Sequence, residues 1–486
     1  MAVQDNRTSM SAVDTKIEVK VSKSCPSVQE ECTANKPASM TTVIEAVAGA
    51  TLLNTLVGGL LSRLEGVEDK RHRKRNFRYL LPDIIMGMAI AIMGGMRDIP
   101  GIHVFMANKV ALLNSLGLFV NPEAKGGTPS ASYLYEIMRK IDKKTFSEAF
   151  YSFVRDLLLA SKAMGYKVVA VDGKRMRGTS CGENGVPLNI QTSLLVSSKL
   201  PLMATACDTK SNEIKAWDAL LEAMGDKIKG VVYTADAMGC QREIVRKIKR
   251  NLSHYCLAVK GNQVNLNGDI QTMVAHSTPT STFTEKNEGH GRIETRKVEV
   301  FKVFGENEDD SFIYDAKKWE GLARVVRVTS ERTVKKPQRT KYGVDKEGYK
   351  KIVVGETVGT SHEVRYYISD LEESAETFCS IIRSEWSVEI FHWNLDTNFM
   401  QDKVVRNNDT LSNSSNNFDT LQKMAYVFLT LFDIEQQATN PQYVRVWLSR
   451  LMDHAQTSDD FIKKVMTMDL SIISVALNLH TTKIAA

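Results

Sequence analysis

Two aspartates each follow an apolar run of strand-forming residues: Asp172 closes YKVVAVD and Asp236 closes GVVYTAD. The carboxyl ends of strands in an open sheet are where ligands gather. If the two strands are neighbours, the carboxylates lie close together. Such a pair is costly unless one group is protonated or a cation bridges them. Hard oxygen donors suit Mg²⁺ or Mn²⁺. Taken singly, each aspartate reads more simply as the cap of the turn or helix that follows, and the residues alone leave both readings open.

A third acid would complete a metal-binding set. RSEWSVEIFHWNLDTNFMQD, Arg383 to Asp402, has a helical pattern. On one helix Glu385, Glu389, His392, Trp393 and Asp396 fall near a common face, and Trp386, Phe391 and Phe399 bury the far side. Three acids with a histidine and a tryptophan make a poor core face. HExxH is absent, which disfavours a zinc pair of the metalloprotease kind. Positive charge surrounds these positions. Lys174, Arg175 and Arg177 follow the first aspartate, Lys260 ends the strand of AVKGNQ, and His290, Arg292 and Arg296 crowd GHGRIETR. Arg383 opens the helical stretch. Each alone is ordinary surface charge. Together they fit neutralisation of phosphates around a metal site.

The elements that must hold these residues follow from the rest of the chain. Its 486 residues are 43% hydrophobic and 25% charged, an ordinary globular balance, with a net charge of +6. Seven cysteines without a CxxC pair argue against a disulfide framework or a structural zinc. The apolar run from Ile84 to Met96 is too short to span a membrane and reads as a buried helix. Residues 1–40 are polar and lack aromatics, as in a disordered tail. From 41 to 160 the periodicity is helical. That region holds the basic run KRHRKR, Lys70 to Arg75, and the turn, cap and helix pattern GGTPSASYLYEIMRKID. From 161 to 261 strands alternate with helices, predicting a sheet of mixed direction. Residues 262–372 read mostly as strands, and helical pattern returns over 373–486.

Read in order, VVAVDGKRMRG, TKSNEIKAWDALL, TADAMGCQ, YCLAVKGNQ, GHGRIETR, WEGLARVVRV, RYYISDL and WSVEIFHWNLDTNF resemble the DDE transposases of the ISAs insertion-sequence group, which includes the H-repeat-associated proteins. The resemblance implies an α/β fold: an RNase H-like core over 161–261, a β-rich insertion over 262–372, and a core-completing helix with further helices over 373–486. It also implies a helical DNA-binding region over 41–160. Asp172, Asp236 and Glu389 are then the metal-binding triad, holding two Mg²⁺ ions, with Mn²⁺ as a substitute. The implied activity cuts transposon ends and joins their 3′-hydroxyls to target DNA. The implied partners are the terminal inverted repeats, target DNA and a second copy of the chain or more, in a bacterial cytoplasm with the nucleoid, or in a nucleus if the host is eukaryotic.

Lys174, Arg175, Arg177, Lys260, Arg292, Arg296 and Arg383 would hold the DNA backbone. His290 and His392 would handle protons or phosphates, or serve structure. Trp319 would stack on an extruded base or sit in the core. The chain departs from the family motif RxHWxIEN, reading RSEWSVEI, so that Glu385 replaces His and Ile390 replaces Asn. An acid at 385, one turn before Glu389, competes for metal or raises the local pKa. Three alternatives remain: an RNase H-like nuclease without strand transfer, a domesticated DNA-binding protein without chemistry, and, against the basic clustering, a two-carboxylate glycosidase.

Overall fold

The computed structural model describes residues 54–71, 78–122, 125, 127–159, 167–179, 187–207, 213–225, 228–289, 292–305, 311–335, 340–345, 348–353, 358–404 and 413–485. The tail over 1–40, four of the six residues of KRHRKR, and His290 lie outside the described residues.

Six helices come first: α1 (Leu56–Leu64), α2 (Leu81–Met93), α3 (Ile99–Asn108), α4 (Val110–Ser115), α5 (Ala131–Lys140) and α6 (Lys143–Leu159). The apolar run forms α2, buried at every residue but Pro82. Its one acid, Asp83, accepts the Phe119 amide at 2.8 Å, and burial pushes its carboxyl up to about 7. No described helix is long and apolar enough to cross a membrane. Ser130 caps α5 by accepting the Tyr133 amide, as the pattern at 126–142 predicts.

The alternating region gives β1 (Lys167–Met176), β2 (Leu188–Leu195), β3 (Leu200–Cys207), α7 (Glu213–Met224), β4 (Val231–Ala235), α8 (Arg242–Arg250) and β5 (His254–Val259). Strands β1, β4 and β5 run parallel, β2 lies antiparallel beside β1, and β3 lies antiparallel beside β2. One expectation needs correction. β1 does not end at Asp172 but continues to Met176, because residues 173–176 keep pairing with β2.

The strand pattern of 262–372 does not extend to its start, which forms α9 (Val264–His276). The buried Leu266, Ile270, Met273 and Val274 carry a helical spacing that the surrounding strand signals mask. Then follow β6 (Ser281–Gly289), β7 (Arg292–Lys302), β8 (Arg324–Lys335), β9 (Thr340–Asp345), β10 (Gly348–Val353) and β11 (Val358–Ser369). These strands make no separate layer except for the β9–β10 pair. β11 pairs antiparallel with β5 through Tyr366–Ser369, so one nine-stranded sheet runs β3-β2-β1-β4-β5-β11-β8-β7-β6.

The chain closes with α10 (Ala375–Ser384), α11 (Trp386–Thr397), α12 (Asn413–Thr439), α13 (Leu448–Thr457), α14 (Asp459–Met466) and α15 (Leu470–Ala485). The 27-residue α12 is buried along most of its length. It packs against α2, α5, α6 and α15, joining the first helices to the last. The Asn417 side-chain amide donates to the carbonyls of Met138 and Ile141, both at 3.0 Å. The Leu56 and Leu470 amides donate to the Met468 and Asn54 carbonyls, each at 2.9 Å. Removing α12 would expose the apolar faces of α2, α5 and α6. Residues 41–160 expressed alone are therefore expected to lack a cooperative thermal transition that the full chain shows; a sharp melt of the fragment would contradict this.

Candidate active site

The β1–β4 ladder aligns Val171 with Ala235. The next residues, Asp172 and Asp236, therefore leave the ladder side by side, about 5 Å apart in the backbone. Val171 and Ala235 are buried and fix that register, since a one-residue slip would turn each side chain to the opposite face. Asp236 also caps the short 3₁₀ turn Ala237–Gly239 through Oδ1, which accepts the Met238 amide at 2.9 Å. The cap and the candidate site coexist because the bond uses Oδ1 alone. Both aspartates line one groove with Gly173, Trp217 and Gln191. Gln191 is buried, and its Oε1 has no hydrogen-bond partner among the described residues. The sequence offered one signal for it: a glutamine inside the apolar strand NIQTSLL.

A second, larger groove of about 530 Å³ adjoins at Asp236. Lys260, Arg292, Arg296, Arg383, Glu385 and Glu389 line it, together with residues not singled out from sequence, notably Glu363, Arg365 and Arg332. The missed residues sit on β8 and β11, where strand alternation turns Glu363, Arg365 and Tyr367 to one face. Among the described residues, Lys260, Arg292 and Arg332 have no carboxylate within ion-pair distance. Arg296 pairs with Glu294 at 2.6 Å and Glu285 at 3.7 Å, and Arg383 also pairs with Glu285.

The acidic helix differs from expectation. It breaks at Glu385, where the amides of Glu385 and Val388 bond three residues back, to Ile382 and Glu385, instead of four. The expected common face is also split. Val388, Phe391, His392 and Leu395 are buried, whereas Trp386, Ile390 and Trp393 are exposed. Trp386 thus does not bury the far side. His392 faces β1, with Nδ1 3.2 Å from Asp172 Oδ2, and is too buried to meet DNA directly.

Other expected DNA contacts also move. Lys174 is buried against Asp396 at 2.6 Å and Asp402 at 3.1 Å, so its charge is already matched. Strand alternation turns Arg175 to the sheet face opposite Asp172. Arg177 is exposed and lies 3.9 Å from Asp402. Trp319 is 2% exposed, with the Arg242 guanidinium 5.6 Å from its ring centre, so it cannot stack on a base.

Residues 163–408 match the family model described as the transposase DDE domain, and residues 61–154 match the model of its associated domain. The chain belongs to the transposase DDE domain family. It is 27% identical to the "H repeat-associated putative transposase YhhI" and to the "Putative protein YbfL" of Escherichia coli K12, each over 79% of this chain and 92% of the relative. It is 27% identical to the "Putative transposase YncI" of Escherichia coli O157:H7 over 71% of this chain and 81% of the relative.

The Asp172 and Asp236 carboxylates are hard donors of the kind a divalent cation takes, whereas Gln191, paired with Gly173, turns to the sheet face opposite Asp172. Among the described residues, no three His, Cys, Asp or Glu side chains group closely enough to hold an ion. Glu385 bears on this. Burial, then repulsion from Asp236 and more weakly Asp172, pushes its carboxyl up to about 7 against the pull of Arg365 and Lys260. The folded state then holds a proton between about pH 4.5 and 7 that the unfolded chain has lost. Stability contributed by the protonated form is full below this window and lost as pH rises through it. Glu385→Gln is expected to change stability little near pH 4.5 and to raise it at pH 8, by on the order of 3 kcal/mol at most. Thermal melts of both proteins at the two pH values check this, and equal melts at pH 8 would contradict it.

Proposed function

We propose that the chain is a DNA transposase that cuts the ends of its element and joins the 3′-hydroxyls to target DNA. The observation that carries this reading is the side-by-side exit of Asp172 and Asp236 from the parallel β1–β4 ladder. An RNase H-like core is supported by the run β3-β2-β1-β4-β5, three parallel strands with an antiparallel pair at the β1 edge. In this reading Asp172, Asp236 and Glu389 would hold the divalent ions, Mg²⁺ or Mn²⁺. Bound there, the ions supply Lewis-acid stabilisation of phosphoryl transfer and activation of the attacking hydroxyl.

The chain's own residues do the rest. His392 holds Asp172 in orientation. The Met238 amide fixes one oxygen of Asp236 and leaves the other for a ligand. Lys260, Arg292 and Arg332 attract and align phosphates along the groove. The partners are double-stranded DNA, as terminal repeats and as target, and a second copy of the chain that holds the other end. The setting is the cytoplasm of a bacterium, with its nucleoid.

One observation favours a second reading, a DNA-binding protein whose chemistry has lapsed. Glu385, an acid that the family motif does not have at this position, is buried and repelled by Asp236 and Asp172.

Cleavage of a plasmid carrying the element's ends separates the two readings. Asp172→Ala and Asp236→Asn are expected to cut on the order of 10³-fold more slowly or not at all, with DNA affinity and folding kept, and EDTA should stop the wild type. Normal cutting by Asp236→Asn would sink the triad. A folded wild type that binds the ends but never cuts them would favour the lapsed binder. Arg292→Ala is expected to weaken DNA binding and reduce the salt slope of log affinity by about one. An unchanged slope would remove that contact.

A further inference from the structure

Resting on the transposase reading, we propose that Lys174 is a positioning residue that sets where Glu389 stands over Asp172 and Asp236, and not a DNA contact. Lys174 lies two residues beyond Asp172 on the same face of β1. Its ammonium reaches Asp396 Oδ1 at 2.6 Å and Asp402 Oδ1 at 3.1 Å, and only 10% of its side chain is exposed. Asp396 lies seven residues after Glu389, two turns along the same face of α11. The ion pair therefore ties the helix that carries the third acid to the strand that carries the first.

The same tie extends past the end of α11. The Arg177 amide donates to Asp402 Oδ1 at 3.0 Å. Gly178 lies so close beneath residues 401–404 that a Cβ there would overlap the Val404 carbonyl and press on that of Gln401 at 3.1 Å. Lys174, Arg177 and Gly178 thus seat the C-terminal end of α11 on the segment just after Asp172. At its other end α11 follows α10 through a tightened turn, where Glu385 keeps helical backbone angles but the bonds reach back three residues instead of four. The buried face of Val388, Phe391 and Leu395 seats α11 on the sheet, and the clamp sets its position along that seat, so cutting the clamp lets its C-terminal part shift. Glu389 moves with it, while the groove arginines on β7, β8 and β11 stay in place.

Lys174→Met keeps the stem and removes the charge. Asp396→Asn is the milder variant, since it leaves Lys174 paired with Asp402. The full-length proteins are compared for single-turnover cleavage at saturating DNA, DNA affinity across a salt series, and hydrogen exchange of the 386–404 peptides. A positioning role predicts about a hundredfold slower cleavage for Lys174→Met, the cost of a misplaced catalytic group. Affinity and salt slope should stay unchanged, exchange over 386–404 should quicken, and Lys174→Arg should recover most of the rate. Asp396→Asn should shift rate and exchange the same way by less.

Weaker binding with a salt slope smaller by about one would make Lys174 a phosphate contact and overturn the proposal. Unchanged cleavage and exchange in both variants would overturn it too. If the wild type itself never cuts, the transposase reading fails, and the exchange comparison still decides whether Lys174 holds α11.

Discussion

Two carboxylates forced together by backbone pairing are the constraint around which this protein is built. Parallel pairing of β1 with β4 brings Val171 beside Ala235, so the backbones of the two aspartates that follow emerge side by side. Two like charges placed near one another in this way call for counter-charges or donors. The surroundings answer this need piecemeal: His392 against Asp172, a backbone amide against Asp236, and Lys260 and Arg365 within the field of Glu385. A divalent cation would answer it more fully. The proposed chemistry follows from a register set by buried apolar neighbours.

Such a pair needs a rigid frame, because any loosening would let the charges move apart. The sheet continues without interruption from β5 into β11, so the groove beside Asp236 has a wall of strands carrying arginines. On the other side stands a helical body centred on α12. Buried Lys423 pairs with Asp419 at 2.8 Å and donates to Thr192 on β2 at 3.2 Å, joining that body to the strand next to β1. Isolated buried charges of this kind would be unfavourable, but paired and hydrogen-bonded ones specify a single docking. The helix α11 follows α10 through a tightened turn at Glu385 and is tied at its far end by Lys174.

The pattern of strands and helices from 167 to 259 was legible because each element carries its own local signal: apolar β-branched runs for β1, β4 and β5, and helical spacing for α7 and α8. Asp172, Asp236 and Glu389 stood out for the same reason, as acids where apolar segments end or where a helix face turns acidic. Partners were not legible. Nothing in DGKRMRG distinguishes Lys174, buried under two aspartates, from Arg175, exposed on the opposite face. Trp319 showed no sign that it fills the core, since an aromatic between charged residues suits either setting. The break at Glu385 also leaves no mark in a stretch whose periodicity is continuous.

The sequence by itself determined the element types, the order of the acidic residues and the family to which the chain belongs. These rest on local propensity and on motifs read along the backbone. Only the tertiary structure decided which charges are already matched, that the strands after 262 extend the first sheet, and that helices from both ends share one core around α12. The reason is physical. Propensity acts over a few residues, whereas an ion pair such as Lys174–Asp396 or a ladder such as β5–β11 joins positions more than a hundred residues apart, and its energy exists only once the chain has closed on itself.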